Sequence, residues 1–217
     1  MFAFLDTEFT DLVIRPRLLS VGLVTEPGNE RAFYAEVTDR DRIQATNWYG
    51  LSAVLPQFGK IAHAACSYAE LGVRLSTFLH ELAAELRDGE FVELAFGYHL
   101  DWELIDLAIN DSGSRSWEAT RRRLRPVNVY ELTGFGAGRL AAEAYFKDQA
   151  RALITRHHAL CDARALRCAY EAAARLPDAP DETTVPYCRA GSSVSRRVIA
   201  AWQHGHQPLA APPGRVR

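Results

Sequence analysis

The order of the apolar segments constrains the fold of this chain more than any other feature of its sequence. Residues 2–9, FAFLDTEF, begin with four apolar residues in a row, two of them aromatic, which predicts a buried strand. Residues 18–24 and 32–37 predict two further strands, and a turn at residues 27–29 (Pro-Gly-Asn) separates them. Short connections favour antiparallel neighbours, because parallel strands need a long crossover. The first 37 residues therefore predict an antiparallel meander.

A helical pattern begins at residue 68, where leucines at spacings of three and four predict an amphipathic helix over residues 68–87. Residues 91–96 predict a fourth strand, which the long crossover makes parallel to the first. Residues 38–67 show no clear period and are interpreted as loop with short helical pieces. The remaining expected elements are helices at 101–110, 140–154 and 159–175 and a fifth strand at 126–132. The chain is therefore predicted to be an α/β protein with a mixed sheet flanked by helices.

Length and composition fit one globular domain with a tail. The chain has 217 residues, of which 48% are hydrophobic and 24% charged, so it can bury a substantial core. We assign residues 1–176 to the domain, and residues 177–217, rich in Pro, Ser and Arg, to a largely irregular tail. No apolar run reaches the ~20 residues of a membrane helix, and no signal-peptide pattern opens the chain. The four cysteines form no Cys-x-x-Cys pair, which predicts reduced thiols in a cytoplasmic protein rather than a zinc site.

Two carboxylates at the end of the first predicted strand give the first chemical signal. Asp6 and Glu8 are two residues apart, so their side chains point to the same face of a strand. Carboxylates aimed at one spot repel each other unless a cation lies between them, and hard divalent cations such as Mg²⁺ take oxygen ligands. Considered in isolation, this pair is also explained by a strand that ends in a polar turn.

Two later segments supply matching groups. Asp101 follows the fourth predicted strand at the start of a helix, and it can approach Asp6 and Glu8 if the two strands are neighbours. A helix-capping aspartate is the alternative explanation. His157 precedes Asp162 by five positions, and Asp162 opens an alanine-rich helix. In such an arrangement the aspartate can bind a metal ion from the helix while the histidine reaches the ion from the preceding loop.

These three motifs, in this order, resemble those of the DEDD exonucleases. Asp6-Thr7-Glu8, Asp101 and the His157–Asp162 spacing are similar to the branch with a catalytic histidine, DEDDh. That branch includes polymerase proofreading exonucleases, RNase T and oligoribonuclease, and the chain most resembles the actinobacterial-type 3′–5′ exoribonucleases. The resemblance spans about residues 5–170 and implies an RNase H-like fold, with a five-stranded mixed sheet and helices on both faces. The second motif departs from many relatives, which carry Phe and Asn where this chain has residues 98–100, Tyr-His-Leu.

The resemblance also implies roles for individual residues. Four carboxylates would bind two Mg²⁺ or Mn²⁺ ions, as is usual for phosphodiester hydrolysis: Asp6, Glu8, Asp101 and Asp162. His157 is the expected base that deprotonates the attacking water, with Glu8 counted beside it as catalytic. His158 is interpreted as exposed loop. Thr7, through its backbone, and the Phe9 ring are expected to border the terminal nucleotide, although Phe9 fits a core position equally well.

The predicted function is a metal-dependent 3′–5′ exonuclease that releases nucleoside 5′-monophosphates from single-stranded RNA. The RNA preference rests on similarity to the shorter stand-alone members, and a DNA-preferring exonuclease is an alternative. A non-catalytic nucleic-acid-binding module is the rival function, but a pure binder gains nothing from clustering negative charge beside phosphate. This chain contains no Gly-x-Ser-x-Gly or comparable signature, which argues against a metal-free hydrolase that uses Ser or Cys.

Partners beyond the substrate are less constrained by the sequence. The formal charge of −2 neither indicates nor excludes a nucleic-acid-binding protein, because a local basic patch is sufficient to bind nucleic acid. Five arginines within residues 115–125 fit a phosphate-contacting surface, a dimer contact or a solvated face. Many relatives are homodimers, so the resemblance implies a possible homodimer here.

Overall fold

A mixed sheet of six strands, seen in a computed structural model that describes residues 1–12 and 15–175, organises the fold. The strand order is β4-β3-β2-β1-β5-β6, and β2 runs antiparallel to both of its neighbours while every other pair is parallel. The α/β prediction is confirmed. The strands are β1 (Phe2–Phe9), β2 (Leu18–Thr25), β3 (Ala32–Val37), β4 (Ala65–Cys66), β5 (Val92–Phe96) and β6 (Leu124–Asn128).

Seven α-helices connect or flank these strands in the described part of the chain, and residues 1–173 form one compact unit. Ser67 caps the longest helix by accepting a hydrogen bond from the Glu70 N–H at 3.2 Å. None of the helices among the described residues is long and apolar enough to cross a membrane. The helices are α1 (Arg40–Gln44), α2 (Tyr68–Ala84), α3 (His99–Asp111), α4 (Trp117–Arg121), α5 (Tyr130–Thr133), α6 (Gly136–Asp148) and α7 (Ala159–Ala174).

The sheet has one strand more than the five that were expected. Ala65 and Cys66 pair with the end of β3 as the two-residue edge strand β4. Two residues are too few to show an alternating pattern, so this strand depends on its tertiary partner and not on a local signal. The rest of residues 38–67 contains α1, a π-helical turn at Gly50–Val54 and a 3₁₀ turn at Leu55–Gln57.

Two predicted boundaries after β5 are also wrong. The strand expected at 126–132 begins and ends earlier, because the Asn128 side chain accepts the Tyr130 N–H at 2.9 Å and turns the chain into α5. The helix expected at 140–154 runs from Gly136 to Asp148 instead. Gly138 lies inside this helix, where a Cβ would come within 2.8 Å of the Thr133 Cα. Gly138 therefore allows close packing on α5 and does not break the helix.

Helices cover both faces of the sheet, and β1 contacts both layers. Ala3 and Leu5 belong to the large buried cluster that includes leucines of α2 and Ile105 of α3. Phe2 and Phe4 point to the opposite face, where their ring centroids lie 5.1 Å and 5.4 Å from that of Tyr170 in α7. Because side chains alternate along a strand, Asp6 and Glu8 share the face that α7 covers.

The start of α7 lies directly against the sheet. Gly22 in β2 pairs with Asp6, and a Cβ at position 22 would lie 2.2 Å from the Ala159 carbonyl carbon and from the Leu160 nitrogen. Only glycine permits an approach this close. The first turn of α7 is thereby fixed next to the carboxylates of β1.

Two sequence predictions lie partly or wholly beyond the described residues. The expected tail, residues 177–217, falls outside them, as does Cys188. Among the described residues, Cys66, Cys161 and Cys168 are free thiols.

Candidate metal centre

Four carboxylates from three distant segments converge at one end of β1. Asp6 and Glu8 come from β1 itself, Asp101 from the first turn of α3 and Asp162 from the first turn of α7. The tightest group is Glu8, His157 and Asp162, whose ligand atoms all lie within 4.8 Å of one another. Asp6 and Asp101 lie outside this group but adjoin it, because the charges of Glu8, Asp101 and Asp162 all act on Asp6.

Asp101 is held on β1 by Thr7. The Thr7 hydroxyl donates to Asp101 Oδ1 at 2.7 Å, and the Thr7 N–H donates to the same oxygen at 3.2 Å. The other oxygen accepts the Tyr98 N–H at 3.1 Å, so the carboxylate also caps α3. Parallel pairing of β1 with β5, with Leu5 opposite Phe96, brings this helix start to the end of β1. Asp101 thus helps to cap the helix from its third position, N3, and not as the N-cap or first residue that the sequence suggested, and this is compatible with a metal-binding role.

Asp162 is held by the backbone of the residue expected to be the base. The His157 N–H lies 3.3 Å from Asp162 Oδ1 and 3.2 Å from Oδ2. His157 adopts a left-handed conformation with φ of 67°, which is uncommon outside glycine and clusters at functional sites. The tight turn before α7 therefore places a carboxylate and an imidazole side by side.

Burial raises the pKa values of all four carboxylates, and repulsion from neighbouring carboxylates adds to the shifts of Asp6, Glu8 and Asp162. Burial, followed by the charges of Asp162 and Asp101, raises the pKa of Glu8 to about 8. Burial also raises the pKa of Asp162 to about 7, although the His157 N–H opposes the shift. The pKa of Asp101 rises to about 6 through burial, against the lowering effect of the Thr7 hydroxyl. Burial, then the neighbouring carboxylates led by Asp162, raise the pKa of Asp6 well above its usual range.

The donor set fits hard divalent cations. Carboxylate oxygens are the ligands that Mg²⁺ and Mn²⁺ prefer, and two such ions need several negative charges held close together. The raised pKa of Glu8 shows that its charge is poorly compensated by the protein alone. A bound cation would favour the ionised forms of all four carboxylates.

Tyr49 also belongs to this site, and the sequence analysis missed it. Its hydroxyl lies 2.9 Å from Nε2 and 3.1 Å from Nδ1 of His157, and the two rings meet edge to face. Burial, aided by the charge of Arg156, lowers the pKa of His157. Tyr49 lies in the segment without clear periodicity. The only local signal is an aromatic pair, Trp48 and Tyr49, between polar residues and a glycine.

His158 is buried, which corrects its interpretation as exposed loop. Only 1% of its surface is accessible, and its ring stacks on Tyr34 of β3 with centroids 4.1 Å apart. Burial lowers the pKa of His158 to about 4. Because the turn before α7 lies flat against the sheet, one histidine faces the carboxylates while the next faces the sheet.

The two residues expected to border a nucleotide lie at the end of β1. Thr7 is buried and its hydroxyl is engaged by Asp101. Phe9 is half-buried: it packs against the main core and also stacks on Tyr98, with ring centroids 6.4 Å apart and an interplanar angle of 26°. Both interpretations of Phe9, as core and as neighbour of the site, thus fit its position.

The arginine-rich segment lies away from this site. β6 is parallel to β5 and begins at Leu124, opposite Val92, which is at the end of the sheet where β1 starts. The segment before β6 is therefore at the opposite end from Glu8. Four of its arginines bond within the protein: Arg121 with Asp106, Arg122 with Glu118, Arg125 with Glu93, and Arg123 with the carbonyl oxygens of Leu86 and Arg87. These contacts favour the solvated-face interpretation.

Comparison with known proteins adds no constraint. No protein-family model matches this chain, and no curated protein gives a significant match.

Proposed function

We propose that this protein is a two-metal-ion 3′–5′ exonuclease of the DEDDh type, with an RNase H-like fold. The observation that carries the proposal is the convergence of Glu8, His157 and Asp162, whose ligand atoms lie within 4.8 Å of one another. The buried Asp101 and the adjacent Asp6 complete a cluster of four carboxylates. A mixed sheet with helices on both faces agrees with the proposed fold.

Each residue has a definable role in such an enzyme. Asp6, Glu8, Asp101 and Asp162 would hold two divalent cations, which supply an activated water and neutralise the leaving 3′ oxygen. His157 accepts the proton of the attacking water. Its lowered pKa keeps the imidazole neutral near pH 7, which is the form that can accept a proton. Thr7 keeps Asp101 ionised and in place through two hydrogen bonds.

The electrostatics of the site argue against the rival, a non-catalytic binding module. Four clustered carboxylates repel a phosphate backbone, so they would weaken the binding of nucleic acid by a protein that uses no metal. The same charges are useful when cations bridge them to the phosphate. Within the enzyme proposal, we propose single-stranded RNA rather than DNA as the substrate and a homodimer as the assembly, both on the resemblance of the motifs. The proposed cytoplasmic location rests on the prediction that the cysteines are reduced thiols.

A cleavage assay with 5′-labelled oligonucleotides tests the proposal. RNA and DNA of equal sequence are incubated with the full-length protein in Mg²⁺, in Mn²⁺ and in chelator, and products are resolved on a sequencing gel. Asp162→Asn removes one charge of the cluster with little change in shape. Asp148→Asn, at the exposed end of α6, is the matched control.

We expect a metal-dependent ladder that shortens from the 3′ end, with nucleoside 5′-monophosphates as the released product. Asp162→Asn should abolish the ladder, and Asp148→Asn should leave it intact. The ratio of RNA to DNA rates decides between the two substrates. Tight binding without cleavage under either metal would overturn the enzyme proposal and favour the binding module.

A further inference from the structure

The hydroxyl of Tyr49 stands against the imidazole that the proposed mechanism uses as its base. The oxygen lies 2.9 Å from Nε2 and 3.1 Å from Nδ1, so it can bond to either nitrogen of His157. The tyrosine ring meets the imidazole at 79°, with centroids 5.3 Å apart. Tyr49 itself is 50% exposed, so its position is not explained by burial in a core.

The backbone of His157 is already fixed, which leaves its side chain as the part that needs support. Its N–H bonds to Asp162 and its φ of 67° places it in the left-handed region. An imidazole on such a turn can still rotate about its side-chain bonds. Within the described residues, Tyr49 supplies the hydrogen bond to its ring.

Tyr49 is in turn tied to the strand that carries the carboxylates. The Asn47 N–H donates to the carbonyl oxygen of Thr10 at 3.0 Å, and Asn47 Nδ2 donates to Asp11 at 2.9 Å. Asn47 Oδ1 accepts the Gly50 N–H at 2.8 Å and so closes the turn that contains Tyr49. Thr10 and Asp11 directly follow β1. The tyrosine and the carboxylates of β1 are therefore placed by one continuous set of contacts.

We propose that Tyr49 is a positioning residue that orients the His157 imidazole through its hydroxyl. This inference rests on the proposed function of His157 as the base. The hydroxyl oxygen accepts the N–H of one ring nitrogen, which leaves the lone pair of the other nitrogen free for a proton. When the attacking water gives its proton to that nitrogen, the imidazole becomes an imidazolium with two N–H groups. The tyrosine oxygen keeps accepting the first of them, and no covalent bond to Tyr49 forms or breaks.

Tyr49→Phe removes the hydroxyl and keeps the ring. Loss of one neutral hydrogen bond corresponds to a fall in kcat of about 3- to 10-fold, with KM for the oligonucleotide almost unchanged. Tyr130→Phe is the matched control, because Tyr130 on α5 is also 50% exposed. In a His157→Ala background, Tyr49→Phe should cause no further loss, because the two residues act as one unit.

The hydrogen bond between Tyr49 and the imidazole is measured independently of activity by ¹⁵N NMR of the metal-free protein at fixed pH. Tyr49→Phe should shift the ring ¹⁵N resonances of His157, because the ring loses its hydrogen bond to the hydroxyl, while Tyr130→Phe should leave them unchanged. Unchanged His157 resonances in Tyr49→Phe would overturn the inference whether or not the protein cleaves RNA. A rise in kcat in Tyr49→Phe would also overturn it, because the hydroxyl would then be blocking the base. If the resonances shift but no variant cleaves nucleic acid, the pairing of Tyr49 with His157 stands and the proposed function fails.

Discussion

Glu8→Gln should make the metal-free protein more stable at alkaline pH. Glu8 is surrounded by other carboxylates, and its ionised form is disfavoured in the folded state. Glutamine has nearly the same shape and carries no charge. The substitution therefore removes repulsion that the folded protein must otherwise tolerate when no cation is present.

The size of the effect follows from the pKa of this residue. Burial and the neighbouring charges raise the pKa of Glu8 from 4.5 to about 8. Because the folded-state pKa is the higher one, the contribution to stability is complete below pH 4.5 and is lost as pH rises through 8. Each pKa unit is worth about 1.4 kcal/mol, so the loss at pH 8 is on the order of 4 kcal/mol. Glu8→Gln should recover most of this free energy at pH 8 and none of it at pH 4.

Urea unfolding in the presence of chelator at pH 5 and pH 8 measures the effect. The comparison with wild type cancels the contribution of His158, whose lowered pKa acts in the opposite direction and is present in both proteins. Glu103→Gln, an exposed position on α3, is the control and should change the unfolding free energy by less than about 0.5 kcal/mol. The reasoning is refuted if Glu8→Gln is less stable than wild type at pH 8 without metal. Added Mg²⁺ should stabilise the wild type more than the variant.

Two further substitutions remove contacts that support the site, and a third removes the cap of α2. Gly22→Ala should destabilise the protein by about 1–3 kcal/mol in thermal unfolding, because the added Cβ would clash with the backbone at Ala159. It should also weaken Mn²⁺ binding. A wild-type unfolding free energy together with wild-type Mn²⁺ affinity would contradict this prediction. Thr7→Val should weaken Mn²⁺ binding about 10-fold in calorimetric titration, since Asp101 loses a charged hydrogen bond of 2.7 Å. Unchanged Mn²⁺ affinity would show that the Thr7 hydroxyl does not support metal binding by Asp101. Ser67→Ala should cost about 1 kcal/mol through loss of the α2 cap, yet leave metal affinity unchanged.

The sequence predicts the elements whose signal is local. Buried strands such as β1 and β2 and the leucine stripe of α2 are predicted to within a few residues, because hydrophobic periodicity alone identifies them. The cluster of carboxylates is also predictable. Its members lie where strands end and helices begin, and the crossover between β1 and β5 brings those points together.

Features that depend on tertiary contact are not predictable in this way. Strand β4 exists only because Ala65 and Cys66 lie beside β3, and His158 is buried only because the turn before α7 packs on Tyr34. Tyr49 reaches His157 through a turn stabilised by Asn47, and no periodic pattern marks such a turn. Each of these requires the position of a second segment, which one local stretch of sequence does not contain.

The distribution of the site over the chain has a kinetic consequence. Asp6 lies near one end of the described chain and Asp162 near the other, so the full set of proposed cation ligands requires β1, α3 and α7 to be docked together. A folding transition state with only part of these contacts offers Mg²⁺ an incomplete set of ligands. We therefore expect saturating Mg²⁺ to slow unfolding strongly and to change the refolding rate little in stopped-flow denaturant jumps. The cation would then chiefly prolong the lifetime of the native state without speeding its formation.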